Sequence, residues 1–170
     1  MKKIFLVFVL FTLSCDNEPV NVDVLISSGT IHDGSGTKGY IGNVAIKNDT
    51  IFYVGKKNNF RANQTIDATG KVVSPGFINM LSWGYNTLMQ DGRSLSDLKQ
   101  GVTLEVFGEG TSPGPRGSIK NNNYVSFGEA MEKLESSGVS TNIASYLGSA
   151  TVRIQEIGFA NRKATSEEMN

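Results

Sequence analysis

From Val22 to Ser27 apolar and polar residues alternate, Val22, Val24 and Ile26 against Asp23 and Ser27, which is the period-two signature of a half-buried strand. Turn residues follow at Asp33, Gly34 and Gly36. The apolar runs Val44-Ala45-Ile46 and Ile51-Phe52-Tyr53-Val54 flank the polar Lys47-Asn48-Asp49-Thr50. This predicts a hairpin whose turn uses Asn and Asp because both tolerate unusual backbone angles. Thr65-Ile66-Asp67 and Lys71-Val72-Val73 flank Ala68-Thr69-Gly70, a second tight connection. Up to about Ser74 the pattern is that of a small sheet of antiparallel strands.

After Pro75 the rhythm changes. Strand-like Phe77-Ile78-Asn79-Met80 precedes Ser94-Leu95-Ser96-Asp97-Leu98, where Ser94 is placed to cap a short helix, Asp97 to answer it, and Gly101 to close it. Val102 to Phe107 is the next strand. Ser126 then opens a longer helix with Glu129 as its capping-box partner, and Phe127, Ala130, Met131 and Leu134 fall on one apolar stripe that ends before Gly138. Ile143 to Leu147 is a third apolar strand. The order strand, helix, strand, helix, strand predicts a parallel sheet or barrel. Thr165 and Glu168 form the cap and box of a further helix just before Asn170. The chain therefore reads as cut short, since a (β/α)8 barrel needs roughly 250 residues.

The first residues stand apart from this pattern. Lys2 and Lys3 precede the apolar run Ile4 to Leu13, which is too short to cross a hydrocarbon core of roughly 30 Å but suits a secretory signal. That run leads into Thr12-Leu13-Ser14-Cys15, and Cys15 is the single cysteine of the chain. The segment resembles a bacterial lipoprotein signal, in which the cysteine is lipidated after cleavage, although Thr12 stands where an aliphatic residue is usual. A plain signal peptide with an incidental cysteine is the alternative. The expected organisation is a signal and tether over 1–20, a small β-sandwich domain over 21–74 and a truncated barrel over 75–170. The expected location is the periplasm or cell surface, with a lipid on Cys15 as the membrane attachment.

Composition narrows the partners more than the fold. The 170 residues are 39% hydrophobic and 19% charged, ordinary for a globular chain. Sixteen Lys and Arg balance sixteen Asp and Glu, and no basic block is dense enough for a nucleic-acid footprint. Nothing in the sequence fixes an oligomeric state.

Three stretches carry a resemblance. VLISSGTIHDGSG, IDATGKVVSPGFIN and QGVTLEVFGEG resemble the N-terminal part of the amidohydrolase superfamily. EVFGEGTSPGP, FGEAMEKLE and NIASYLG with Arg153 favour the branch of N-acyl-D-amino-acid deacylases, the D-aminoacylases. The resemblance implies an α/β architecture: a small β-sandwich beside a TIM-like (β/α)8 amidohydrolase barrel, incomplete in this chain, with metal at the C-terminal mouth of the strands. It also implies zinc as cofactor and an acylated amino acid or related amide as the small-molecule partner.

Against that family pattern the site residues are uneven. The strand after PGFI usually carries His-x-His, because residues two apart on a strand point the same way and grip one ion together. Leu81 and Trp83 occupy those places and are expected simply to pack, while His32, the sole histidine, lies in the small domain beside Asp33. The resemblance places a metal ligand in the loop after the second strand, where Glu109 sits between Gly108 and Gly110; a carboxylate is a legitimate zinc ligand. A solvated loop glutamate is the alternative. Glu105 would lie deeper on the same face, either paired or on an irregular strand. Arg153 matches a family arginine suited to a substrate carboxylate, with an ordinary ion pair as its alternative. Ser149 replaces the histidine of a Gly-His-Gly, and Asp91-Gly92-Arg93 is a turn. No residue here is assigned as the catalytic acid or base. The expected function is hydrolysis of a C–N amide bond of N-acyl-D-amino acids, with this chain inactive alone. The rivals are a binding or scaffold lipoprotein that kept the frame without the chemistry, and another amidohydrolase such as a dihydroorotase-like enzyme.

Overall fold

The structure is a computed structural model and describes residues 18–118 and 120–169. Cys15 and the signal lie outside the described residues. The chain divides into two compact units between Pro75 and Gly76.

The first unit is a five-stranded sheet. Its strands are β1 (Val20–Ile31), β2 (Tyr40–Lys47), β3 (Thr50–Gly55), β4 (Phe60–Asp67) and β5 (Val72–Val73), in the order β3-β2-β1-β4 with β5 also on β1. The expected hairpin forms: β2 and β3 pair antiparallel, and Asn48 takes the left-handed φ of 52° that its turn demands. β1 and β2 are antiparallel as well. β4 and β5 break the expectation, because both run parallel to β1. The reason lies in the connection between them. Asp67 Oδ1 accepts from both the N–H and the hydroxyl of Thr69, an Asx turn in the four-residue connection Ala68 to Lys71 that returns the chain to the same edge of β1 in the same direction. Gly70, at φ +73°, completes that loop. Alternation reveals which face of a strand is buried; the direction of its neighbour it does not reveal.

The second unit alternates strand and helix. β6 (Phe77–Asn79), β7 (Val102–Phe107) and β8 (Asn142–Ser145) form a parallel sheet in that order. Helices α1 (Tyr85–Leu88), α2 (Leu95–Leu98), α3 (Phe127–Ser136) and α4 (Ser149–Ile157) fill the connections and follow the last strand. The strand order and parallel direction match the sequence pattern. α3 starts as expected: Ser126 Oγ accepts from the Glu129 N–H, and the Glu129 carboxylate, held below its usual pKa by this bonding, accepts from the Ser126 N–H. Its apolar stripe delivers Ala130 and Leu134, both fully buried, onto Tyr85, Leu88 and Phe107, with Val125, Val139 and Ile143 at the margin. The Thr165–Glu168 box bonds also form, with the Arg162 guanidinium on the same carboxylate drawing its pKa down to about 2, yet 166–169 is a turn.

One expected cap is absent. Ser94 adopts a left-handed backbone, φ 48°, and makes no capping bond to α2. Its hydroxyl is taken by Glu105 instead. Glu105 projects from the middle strand, is 2% exposed and has no ion pair among the described residues. As one of the two alternatives for it anticipates, β7 is irregular beside it: its register with β6 shifts between Val102 and Leu104, while its pairing with β8 runs without a shift. Its Oε1 accepts from Ser94 Oγ and from Thr141 Oγ1 at 3.0 Å, and its Oε2 accepts from Ser82 Oγ at 2.7 Å. Ser82 in turn accepts from the Gly84 N–H at 3.1 Å. A side chain on Gly84 would meet the carboxyl at 2.9 Å, so the missing Cβ is what lets this loop approach. A buried carboxyl is costly unless its lone pairs are occupied, and three hydroxyls occupy them here. The three belong to the segment after β6, the start of α2 and the residue before β8. One side chain thus fixes three connections.

Substitutions at two positions weigh these contributions. Leu134→Ala is expected to lower unfolding stability by about 3 kcal/mol, a lost side chain plus an unfilled cavity. Glu105→Leu, which leaves three hydroxyls without their acceptor, is expected to cost about 3 kcal/mol, and Glu105→Gln, which keeps one oxygen and can donate to Ser82, about 1 kcal/mol. Urea titration followed by the fluorescence of Trp83, the only tryptophan, reads both.

Candidate functional site

The connections after β6 and β7 and the body of α4 surround an open cleft of about 370 Å³ in the second unit. Trp83 and Asn86 come from the segment after β6, Thr111, Ser112 and Arg116 from the long loop after β7, and Thr151 and Ile154 from α4. Phe107 and Tyr85 join its lining from the core below.

The loop after β7 is held to α4 by close backbone contact. Gly108, at φ +95°, lies so near Tyr146 that a Cβ would stand 2.1 Å from its carbonyl oxygen, and Tyr146 N–H donates to Phe107. Gly110, at φ +78°, accepts from the Ala150 N–H. Ser112 N–H donates to Thr151 Oγ1 at 2.7 Å, and Ser112 Oγ donates to the Gly114 carbonyl. The glycines around Glu109 therefore serve the strand-end crossing and the turn, a use visible in the backbone and independent of any ion.

Glu109 is exposed at the tip of this turn, and its carboxylate has no hydrogen-bond or ion-pair partner among the described residues. It does not line the cleft. Arg153 lies on α4, exposed, with its Nη2 donating to the carbonyls of Ala160 and Arg162 at 2.9 Å each. Those two bonds fasten the segment after α4 back onto the helix. Ser149 is the first residue of α4, a helix that the period of the sequence left unmarked. Leu81 and Trp83 are 55% and 66% exposed in this chain, so packing, as expected for them, is not what the second unit alone provides. His32 sits in the first unit beside Asp33, whose carboxylate, bonded to the hydroxyl and N–H of Ser35, is held below its usual pKa. Asp91-Gly92-Arg93 is the turn expected: Asp91 accepts from the Arg93 N–H and both ends of its guanidinium, which pulls the carboxyl to about 2.

Sequence reasoning passed over Arg116. Its backbone N–H and carbonyl both pair with Val125, at 3.0 and 2.8 Å, so its position in the loop is fixed. The guanidinium carbon lies 5.5 Å from the centroid of the buried Tyr85 ring, with Nη2 donating to Tyr85 Oη at 3.2 Å. The only sign in the sequence is that Arg116 stands between the turn-forming Gly114-Pro115 and Gly117.

No family model matches the chain. The D-aminoacylase of Alcaligenes xylosoxydans xylosoxydans is 27% identical over 167 residues, covering 91% of this chain and 34% of that protein. A solved structure of D-aminoacylase, described as defining a novel subset of amidohydrolases, superposes with a TM-score of 0.74 at 28% identity over 87% of this chain and 34% of that one. An N-acyl-D-glutamate deacylase from Bordetella bronchiseptica, solved with zinc and a phosphonate mimic of the tetrahedral intermediate, shares the fold at a TM-score of 0.73 and 21% identity, again over 87% and 34%. The chain spans about a third of the length of these relatives. Over that third, in sequence and in fold, it resembles the D-aminoacylases among the amidohydrolases.

Proposed function

We propose that this chain is part of a metal-dependent amidohydrolase that hydrolyses the C–N amide bond of N-acyl-D-amino acids, and that β6, β7 and β8 are the leading strands of a TIM-like barrel. The observation that carries this reading is the likeness to D-aminoacylase, which runs through 87% of the chain at a TM-score of 0.74. The position of the cleft supports it, because barrel enzymes work at the loops that follow their strands. The β-strands of the first unit would belong to the accompanying sandwich.

Zinc is the metal this reading asks for, and the residues present test that demand. Catalytic zinc sites typically use three protein ligands. Among the described residues no group of three or more His, Cys, Asp or Glu side chains could hold a metal ion. They do not make a zinc site on their own. The contribution we assign to this chain is a single oxygen donor, Glu109, whose uncommitted carboxylate follows the central strand; the other donors would come from elsewhere in the polypeptide. When bound, the ion supplies a Lewis acid and a water of lowered pKa. The described residues supply the wall of the cleft, where Trp83 and Ile154 offer apolar surface to an acyl group or side chain.

Leu81 and Trp83, standing where paired histidines would be, favour a second reading: a lipoprotein with the amidohydrolase frame and a binding or scaffold role. Amine release separates the two. The zinc-supplemented full gene product is expected to free amine from N-acetyl-D-amino acids and not from the L-enantiomers; no release from any D-substrate leaves the scaffold reading standing. Glu109→Ala is expected to lower bound zinc by orders of magnitude after dialysis, and an unchanged zinc content by elemental analysis would remove Glu109 from the ligand set. For the proposed anchor, radiolabelled palmitate fed to expressing cells is expected to mark the protein and to miss Cys15→Ser; equal labelling of the two places the lipid elsewhere.

A further inference from the structure

Among the described residues, Arg116 is the single cationic side chain lining the cleft, and no Asp or Glu lines it. The ion pairs found among the described residues are Arg93 with Asp91 and Arg162 with Glu168, so Arg116 has no carboxylate partner there. A cation left uncompensated on the wall of a cleft gives that cleft a preference for anions.

The side chain is also prepared for one. Its backbone is pinned to Val125 on both sides, and its guanidinium rests against the Tyr85 ring with Nη2 on the phenolic oxygen. Tyr85 is itself buried in the core with Leu88 and Phe107. Fixing an arginine before the ligand arrives removes much of the entropic cost of binding. Nε and Nη1 make no bond to the described residues, which leaves donors of the planar fork free, and that fork matches the two oxygens of a carboxylate. Trp83 and Ile154 give the same cleft apolar surface beside the charge. Arg153 does not line this cleft, and its Nη2 bonds the carbonyls of Ala160 and Arg162.

We propose that this cleft binds a carboxylate through Arg116 and, building on the deacylase reading above, that the group bound is the α-carboxylate of the N-acyl-D-amino acid. Arg116 is then the residue that selects a free acid over its amide or ester. The apolar wall beside it receives the amino-acid side chain or the acyl group.

Calorimetric titration of the zinc-free full gene product tests this without turnover, with N-acetyl-D-leucine and N-acetyl-D-leucinamide as probes. The acid is expected to bind at least about tenfold more tightly than the amide, the value of a charge-assisted fork. Arg116→Met is expected to abolish that preference, and Arg116→Lys, which keeps the charge but not the fork, to retain a fraction of it. Tyr85→Phe, which removes only the Nη2 acceptor, is expected to change it a few-fold at most. An acid preference that survives in Arg116→Met overturns the proposal, as does a wild-type protein that shows no preference or binds neither probe. Amine release by the zinc-loaded wild type is scored separately: activity with Arg116-independent binding sinks only this inference, and Arg116-dependent acid binding without activity upholds the carboxylate site while sinking the deacylase reading.

Discussion

A buried carboxyl group with no ion-pair partner among the described residues holds the second unit in shape. Glu105 stands on the middle strand of a parallel sheet, where an unsatisfied polar group is costly, and it is tolerated because hydroxyls of Ser82, Ser94 and Thr141 fill its acceptor sites. Each hydroxyl belongs to a different connection. The satisfaction of one side chain is therefore the same event as the placement of three segments. Two of those, the stretch after β6 and the start of α2, have few apolar anchors of their own: α2 has no buried residue, and α1 has only Tyr85 and Leu88.

The cleft inherits its geometry from that arrangement. Ser82, fixed on Glu105, leads directly into Trp83 and then Tyr85, which line the cleft from one side. Tyr85 carries Arg116 on its ring, so the placement of the guanidinium traces back through the core to the buried acid. The opposite wall is set by backbone contact between the loop after β7 and the start of α4, where Gly108 and Gly148 leave no room for a Cβ. Among the described residues, charge enters this cleft only through Arg116.

Much of this was legible where a local rule suffices. The Ser126–Glu129 box and the stripe ending in Leu134 announced α3, and the alternation of strand and helix after Pro75 announced the parallel sheet. What escaped depends on partners distant in the chain. Ser94 looks like a cap because caps are local, yet its hydroxyl goes to a residue on β7. Asp97 looks like the reply to that cap, yet it accepts from Asn79 on β6. β4 and β5 read as strands without revealing that they run parallel to β1. Arg116 escaped for the same reason: a turn arginine is unremarkable until the fold sets it over a tyrosine remote in sequence.

Native-state amide hydrogen exchange tests the central claim, that Glu105 binds these connections into one cooperative body with β7. The reporting amides are Ser82, which donates to Val106, and Ser140, which donates to Gly92. If the account is right, both open with the same free energy as the interior amides of β7, since they are released only when the strand is. Exchange of Ser82 and Ser140 through cheap local fraying, while β7 stays protected, would contradict it.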